Sequence, residues 1–328
     1  MTLPPEVDSS KPRRRAEPPK VGPSAALDPD GDERAVSPLS VTAAAAGVAL
    51  FSISPALIAG AEINGLAVGF WRVWFACAGM AVIAAVRGQL RPGVIGVTML
   101  PGLAFGASTA LFFTAVQMTS VANATLIGVL QPLPLLIAGR LFFRERASLR
   151  DASWIAVAIA GAGVMVLSAR SAETGDIVGD LLAAASLVTM AVYFSSAKKA
   201  RTTTGTLAFM VGLWAWAGVA MTPILFISGE QILPDAGSDW TRIALIAAIP
   251  GAGHALTNYS HEGVPLALVG VLQLFTPVGS SLLAWWLLDQ SVTIWQVVGI
   301  VVVVVALSLY TLQRSAEPKK APAEPEGG

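Results

Sequence analysis

Charged residues, cysteine and histidine are scarce in this chain, and each scarcity excludes a class of protein. Only 13% of the 328 residues are charged, whereas a soluble domain typically carries about 25%. The single cysteine, Cys77, excludes an internal disulfide and a cysteine-ligated cluster. Two histidines are too few for an ordinary zinc site. The composition therefore predicts a protein of an apolar solvent, without a metal or other cofactor.

Motifs for nucleotide chemistry are also missing. No Gly-x-x-x-x-Gly-Lys-Ser/Thr loop occurs, and no polar stretch is long enough to form a nucleotide-binding domain. A pump driven directly by ATP is thereby excluded for this chain alone. A membrane-embedded enzyme would need paired carboxylates, a histidine cluster or an activated nucleophile at one depth. None is evident, so we expect no enzymatic activity.

Apolar sequence is abundant instead. Hydrophobic residues make up 54% of the chain, and the mean hydropathy is +0.67. A helix needs about 20 mostly apolar residues to cross the hydrocarbon of a bilayer. The sequence predicts an all-α polytopic membrane protein with ten transmembrane helices, near residues 40–59, 66–86, 95–116, 121–142, 152–169, 177–196, 206–228, 241–259, 265–288 and 292–313.

The two ends of the chain have a different composition. Residues 1–38 contain six Lys or Arg, seven Asp or Glu and many prolines, without an apolar run. Residues 314–328 have the same character. Segments of this kind cannot bury enough apolar surface to fold. Both are predicted to be disordered cytoplasmic tails.

The placement of basic residues predicts the orientation in the membrane. With the N-terminus in the cytoplasm, the outer loops hold only Arg170 and Arg242, whereas the inner loops hold eight basic residues, namely Arg87, Arg91, Arg144, Arg146, Arg150, Lys198, Lys199 and Arg201. The outer loops are mainly acidic, as the positive-inside rule requires. The Ala-, Val- and Gly-rich composition suggests a bacterium. We therefore expect a multi-pass protein of the inner (plasma) membrane, with both termini cytoplasmic.

A repeated motif divides the chain into two halves. Gly128-Val129-Leu130-Gln131 recurs as Gly270-Val271-Leu272-Gln273, and a proline follows each copy within four residues. The spacing predicts one five-helix repeat over residues 39–170 and a second over residues 176–313. Because five is odd, the second repeat would cross the membrane in the inverted sense. Inverted repeats suit transport by alternating access.

At this point the sequence resembles the EamA family of the drug/metabolite transporter superfamily, over about residues 40–313. The resemblance rests on an early Arg in the second helix, Phe70-Trp71-Arg72, and on proline followed by an acidic residue in two later helices. Those two patterns are Gln131-Pro132-Leu133-Pro134 through Arg144-Glu145-Arg146, and Gln273, Pro277 and Asp289.

The resemblance implies a secondary transporter that exports amino acids, other metabolites or drugs. It also implies a cavity lined largely by the first, third, fourth, sixth, eighth and ninth helices. Import of a metabolite is the main alternative, and a scaffold or a membrane enzyme are weaker ones. The expected partners are a small-molecule solute and the lipid bilayer, with no nucleic acid. A coupling proton or other ion and a homodimer remain open.

Polar side chains in the membrane mark the candidate solute site, because such groups are costly in hydrocarbon and normally face a cavity. The candidates on the predicted cavity helices are Gln131, Gln273, Tyr193, Asn258, Phe112 and Thr276. The alternative for Ser and Thr is helix packing or bonding to a carbonyl one turn earlier.

Two ionisable side chains and two prolines complete the candidates. His254 can relay a proton, or it can be a neutral core histidine. Arg72 can hold a solute carboxylate, or it can pair with Glu62 or extend to the outer surface. Pro134 and Pro277 are predicted to kink their helices and free carbonyl groups toward the cavity, or only to bend the helices.

Overall fold

The structure, a computed structural model, describes residues 37–54, 57, 64–91, 93–119, 121–145, 148–168, 176–234, 237–261, 263–288 and 292–316, and most of these residues are helical. In chain order the helices are α1 Pro38–Phe51, α2 Gly65–Val86, α3 Val94–Met118, α4 Val121–Gly128, α5 Pro132–Phe143, α6 Leu149–Ser168, α7 Ile177–Arg201, α8 Thr206–Ser228, α9 Gly237–Ser260, α10 Leu266–Gln273, α11 Phe275–Leu288 and α12 Ile294–Ala316.

Seven helical stretches in the described residues are long and apolar enough to cross a membrane, by length and composition. Two of them run through short interruptions, from α4 into α5 and from α10 into α11. The apolar helices α1 and α12 contain shorter stretches. The all-helical architecture and membrane-spanning helices are as expected, whereas the count of ten spans stays a prediction.

The helices extend into both predicted tails. α1 begins at Pro38, where a proline suits the first position because its missing N–H would have no helical partner. α12 continues to Ala316, and its Gln313 accepts a hydrogen bond from Trp154 Nε1 at 3.1 Å. This contact with α6 explains why the helix passes the predicted end at residue 313. The remainder of both predicted tails lies outside the described residues.

The repeated motif coincides with two breaks in the helices. α4 ends at Gly128 and α5 begins at Pro132, while α10 ends at Gln273 and α11 begins at Phe275. The break between α4 and α5 is closed by tight backbone bonds, such as Gln131 N to Gly128 O at 3.0 Å. Each break therefore lies in a span for which the sequence predicts a kink.

Pro134 and Pro277 directly follow the two breaks. Each is the third residue of a new helix, α5 or α11. In the first turn a backbone N–H has no partner within the helix, so a proline costs little there. Whether the prolines free carbonyl groups toward a cavity stays a prediction.

The helices of the two halves pack in matched pairs. Equivalent helices contact each other, namely α2 with α8 and α6 with α12. Other major contacts form matched pairs. The contact of α3 with α7 matches that of α1 with α9, and the contact of α3 with α8 matches that of α2 with α9. Exchanging the halves therefore maps each of these contacts onto itself or onto another, as in a pseudo-two-fold arrangement.

Glycines allow the equivalent helices α6 and α12 to approach closely. A Cβ atom on Gly161 would lie 2.7 Å from Val302 Cγ1, and one on Gly299 would lie 2.6 Å from the carbonyl oxygen of Gly161. Small residues at such crossings are characteristic of membrane helices, which associate through close packing. This crossing joins the end of one half to the end of the other.

Candidate solute-binding site and its closed end

A set of rings from five helices meets in the middle of the bundle. We call it the aromatic cluster, and it consists of Phe51, Phe105, Tyr193, Trp214 and His254. The ring of Phe105 is central, with centroid distances of 5.1 Å to Tyr193, 5.2 Å to Trp214 and 4.8 Å to His254. Phe51 from α1 lies 4.5 Å from His254 on α9. The cluster thus draws on α1, α3, α7, α8 and α9.

Two of the predicted site residues hold each other beside this cluster. Asn258 Nδ2 donates to Tyr193 Oη at 2.7 Å and to the backbone oxygen of His254 at 2.8 Å. The carbonyl can only accept, which fixes the orientation of the amide. Asn258 Oδ1 is then a buried acceptor without a hydrogen-bond partner.

Arg72 points into the bundle. Its Cζ lies 6.0 Å from the ring centroids of both Phe105 and Phe113, and its buried Nε has no hydrogen-bond partner. Position 72 is roughly 10 Å along α2 from its first residue. The guanidinium therefore lies beside these two rings, and its role toward a solute stays a prediction. Glu62, its other suggested partner, lies outside the described residues.

His254 has the same unpartnered character. Its Nδ1 is buried without a hydrogen bond, as is Trp214 Nε1 on the facing helix. Sequence reasoning did not select Phe105 or Trp214, because a lone aromatic residue in an apolar helix gives no signal of its neighbours.

The other predicted site residues lie away from the aromatic cluster's polar contacts. Gln131 is buried with its Nε2 unpartnered, and Gln273 Oε1 accepts a 3.4 Å bond from Thr276. Phe112 packs near a separate small cluster that includes Ala183. Within the described residues no hydrogen bond joins these four side chains to the aromatic cluster, so their role as solute ligands stays a prediction.

The hydroxyl groups along α7 bond mainly to their own helix. Ser186 donates to Ala183 O at 2.7 Å, and Ser196 donates to Val192 O at 2.6 Å. These bonds fit the packing interpretation, in which Ser and Thr satisfy carbonyl groups one turn earlier.

One end of the bundle is closed by an ion pair between the halves. Lys198 Nζ, near the end of α7, lies 2.6 Å from Glu145 Oε1. The same carboxylate accepts the backbone N–H of Leu266 at 3.0 Å with either oxygen, and Lys198 also donates to Val264 O at 3.1 Å. We call this set of contacts the latch. It ties the loop after α5 to the end of α7 and to the start of α10.

The backbone at Arg144 places the latch carboxylate. Arg144 ends α5 in a left-handed conformation, with φ 53°, which turns the chain so that Glu145 N donates to Gly139 O at 3.1 Å. A negative charge at the first residue of α10 also complements the helix dipole. The spacing of residues in the sequence could not identify Lys198 as the partner of Glu145. Arg146 and Asp289 lie outside the described residues.

A second set of polar groups lies at the same end of the bundle as the latch. Arg201 Nε donates to the backbone oxygen of Asn258 at 3.2 Å. His261, in the turn after α9, is buried, with neither ring nitrogen hydrogen-bonded. Burial, and then the charges of Lys198 and Arg201, lower the pKa of His261 to about 3. The histidine is therefore neutral at physiological pH.

Exposure increases along the bundle away from the latch. Tyr193, Asn258 and Ser260 are fully buried, whereas Phe51 and Arg72 keep part of their surface. The residues on the latch side of the aromatic cluster are thus fully buried, whereas Phe51 and Arg72 are only partly buried. No group of three His, Cys, Asp or Glu in the described ranges could hold a metal ion.

Comparison with known proteins places the chain in a family. The sequence model of the EamA-like transporter family matches residues 38–168 and again residues 177–312. The chain belongs to this family. The two matches confirm that the EamA-like chain contains two repeats, and they confirm the resemblance found in its motifs.

A curated relative and a solved structure are also similar to this EamA-like chain. Solute carrier family 35 member G1 of Mus musculus is 26% identical over 230 residues, which cover 66% of this chain and 62% of the relative. The chain therefore spans less than two thirds of that protein's length. One crystal structure of a protein matches with a TM-score of 0.74 at 18% identity, covering 84% of this chain and 98% of the other. At that identity the likeness shows the fold alone.

Proposed function

We propose that this chain is a secondary transporter of small organic solutes that works by alternating access. The observation that carries the proposal is a set of unpartnered polar atoms, on Arg72, Trp214 and His254, within an apolar bundle. Buried polar groups without partners are costly and seldom kept without a use. Membership of a transporter family and the solute-carrier name of the mouse relative support the proposal.

The latch supplies one gate of the proposed cycle. Glu145 belongs to the repeat over residues 39–170, whereas Lys198 and Leu266 belong to the repeat over residues 176–313. Separating the repeats at this end breaks the ion pair and both hydrogen bonds to Leu266 together. The matched helix contacts support an inverted pair of repeats, in which exchange of conformations would close the opposite end.

We place the latch at the cytoplasmic face of a bacterial inner membrane, because the basic loops lie at that end. Export is the direction that we propose, and import is the alternative. His254 is the proposed site for a coupling proton, since its Nδ1 has no partner to displace.

The transport proposal is tested by measuring metabolites in the medium of cells that overproduce the chain. Asn258→Leu removes the bond to Tyr193, while Thr241→Val changes an exposed residue of the same helix and serves as the control. At matched membrane levels, we expect one compound to accumulate outside with the intact chain and the control, but not with Asn258→Leu.

Two other outcomes would contradict parts of the proposal. Depletion of a compound from the medium that requires Asn258 would establish import. An unchanged medium with the intact chain, together with no flux of that medium's metabolites in liposomes, would favour a scaffold or an enzyme.

A further inference from the structure

Arg72 carries a positive charge that has no counter-ion among the described residues. The ion pairs there do not include it, and its buried Nε has no hydrogen-bond partner. Its guanidinium instead lies 6.0 Å from two ring centroids, those of Phe105 and Phe113. A cation in hydrocarbon normally pairs with an anion or reaches the interface. The described residues therefore supply no negative partner for Arg72.

Two further polar atoms beside the same ring also lack partners. Trp214 Nε1 and His254 Nδ1 are both buried and unbonded, and both rings lie within 5.2 Å of the Phe105 centroid. The indole and guanidinium groups are donors only, and imidazole can supply another donor. The unpartnered atoms at the aromatic cluster thus include two donors, Arg72 Nε and Trp214 Nε1, against one obligate acceptor, Asn258 Oδ1.

These observations define the chemistry of a ligand. We propose that the aromatic cluster binds a small organic anion, with its carboxylate on Arg72 and its apolar body against Phe51 and Phe105. A carboxylate supplies the missing charge and several acceptor positions, and its bonds to Arg are stronger than neutral hydrogen bonds. The inference rests on the proposed transport function and names the class of solute that the same site takes.

Three probes with the same apolar body separate charge from shape. They are 3-phenylpropionate, 3-phenylpropan-1-ol and 3-phenylpropylamine, each added to the purified full chain in detergent. Binding is measured by the shift in melting temperature and by titration of tryptophan fluorescence, because Trp214 lies in the cluster. We expect 3-phenylpropionate to bind at least tenfold more tightly than the alcohol, and the amine to bind least.

Arg72→Met tests the residue, with Arg140→Met as the matched control. Arg140 is an exposed arginine on α5, so its replacement removes the same charge elsewhere. We expect Arg72→Met to weaken 3-phenylpropionate binding at least tenfold and to leave the alcohol unaffected. Without ligand, Arg72→Met should melt no lower than the unaltered chain, because it removes an unpaired buried charge.

Three results would overturn the inference: no binding of 3-phenylpropionate, equal binding of all three probes, or full retention of carboxylate binding in Arg72→Met. Liposome flux of radiolabelled probes distinguishes this failure from failure of the transport proposal. If the alcohol or the amine is transported, and Arg72→Met does not change that flux, the transport proposal holds and the anion proposal is rejected. Arg72-dependent binding of 3-phenylpropionate without any flux would keep the anion site and reject transport.

Discussion

The hydroxyl of Tyr193 and the amide of Asn258 form the floor of the aromatic cluster on its latch side. Their 2.7 Å bond crosses from α7 to α9 and lies where both residues are fully buried. A buried polar group that loses its partner costs roughly 1–3 kcal/mol. This bond is therefore a local determinant of both stability and solute binding.

Tyr193→Phe should lower the stability of the folded chain by about 1–2 kcal/mol, because one amide hydrogen of Asn258 loses its acceptor. The measurement is the melting temperature in detergent, followed by flux in liposomes. Tyr259→Phe is the matched control, since Tyr259 is 39% exposed on the same helix as Asn258. Equal melting temperatures for Tyr193→Phe and the unaltered chain would contradict the role given to the bond.

His261 predicts a pH dependence for the closed end. The pKa of His261 is lowered to about 3 in the closed arrangement, by burial and by Lys198 and Arg201, whereas a hydrated histidine titrates near 6.5. An open or unfolded form therefore binds a proton below about pH 6.5 that the closed form does not bind. Between pH 6.5 and pH 3, the ratio of the closed form to the open or unfolded form should fall about tenfold for each pH unit.

The measurement is the melting temperature of the purified chain from pH 7.5 to pH 4.5, compared with His261→Gln. The variant should show a flatter dependence, because glutamine does not titrate. Parallel curves for the two proteins would contradict the assignment.

At the scale of single residues, the sequence predicts which polar side chains lie in the membrane, but it does not predict the residues that they contact on other helices. The i, i+4 spacing of His254 and Asn258 placed both on one face of a helix, and the structure brings that face to Tyr193. The ring of Phe105, which joins Arg72 to the cluster, carries no signal in the sequence. Partners across helices depend on the packing of helices that are distant in the chain, which periodicity does not encode.

At the scale of helices, the crossing of α6 and α12 depends on the absence of side chains at two positions. Gly161 and Gly299 lie on the two helices and face each other's backbone. Without a hydrophobic driving force in lipid, such close contact is what holds membrane helices together.

Gly161→Ala should destabilise the chain, whereas Gly163→Ala two residues later should not. An added Cβ at Gly161 would meet Val302 Cγ1 at 2.7 Å, but one at Gly163 would meet only Leu126 Cδ1, at 3.6 Å. Overpacking costs roughly 1–3 kcal/mol, while alanine gains up to about 1 kcal/mol of helix propensity over glycine. The melting temperatures of the two variants give the comparison, and equal values would show that α6 and α12 cross elsewhere.

The helix breaks show how far sequence reasoning reaches at this scale. The repeated Gly-Val-Leu-Gln motif and its following proline located both breaks to within a few residues. The side on which the break falls was not predicted, because a proline tolerated in a first turn and a proline that kinks a helix have the same local sequence.

At the scale of the whole molecule, the two repeats enclose the aromatic cluster and the latch seals it at one end. The presence of two repeats was predictable from the motif, whereas five helices in each repeat stays a prediction. The end that is closed was not, because closure is a property of one conformation and both conformations share the same sequence. In the sequence, Lys198 and Glu145 lie in two loops rich in Lys and Arg, one in each repeat. Nothing in the sequence indicates that the two side chains form an ion pair.

Breaking the latch should open this end of the molecule. Glu145→Gln removes the ion pair with Lys198 and weakens the bond to Leu266 N, and charge-assisted bonds of this kind contribute roughly 1.5–3 kcal/mol. Both side chains are less than one fifth exposed, at 18% and 16%, so screening by water is limited. We expect the open form to rise roughly tenfold in population, since 1.4 kcal/mol is a factor of ten.

The readout is labelling of Ser260→Cys by a membrane-impermeant maleimide, in a Cys77→Ser background and in inside-out vesicles. Ser260 is fully buried behind the latch, so its labelling rate reports opening of that end. Arg242→Gln is the control, because it breaks the 3.2 Å pair with Asp239 near the start of α9, at the opposite end. Faster labelling with Glu145→Gln alone would make the latch a gate, because a contact that only stabilised the fold would leave the two variants alike. Equal rates in both variants would reject the gate and leave the Glu145–Lys198 pair a structural contact between the repeats.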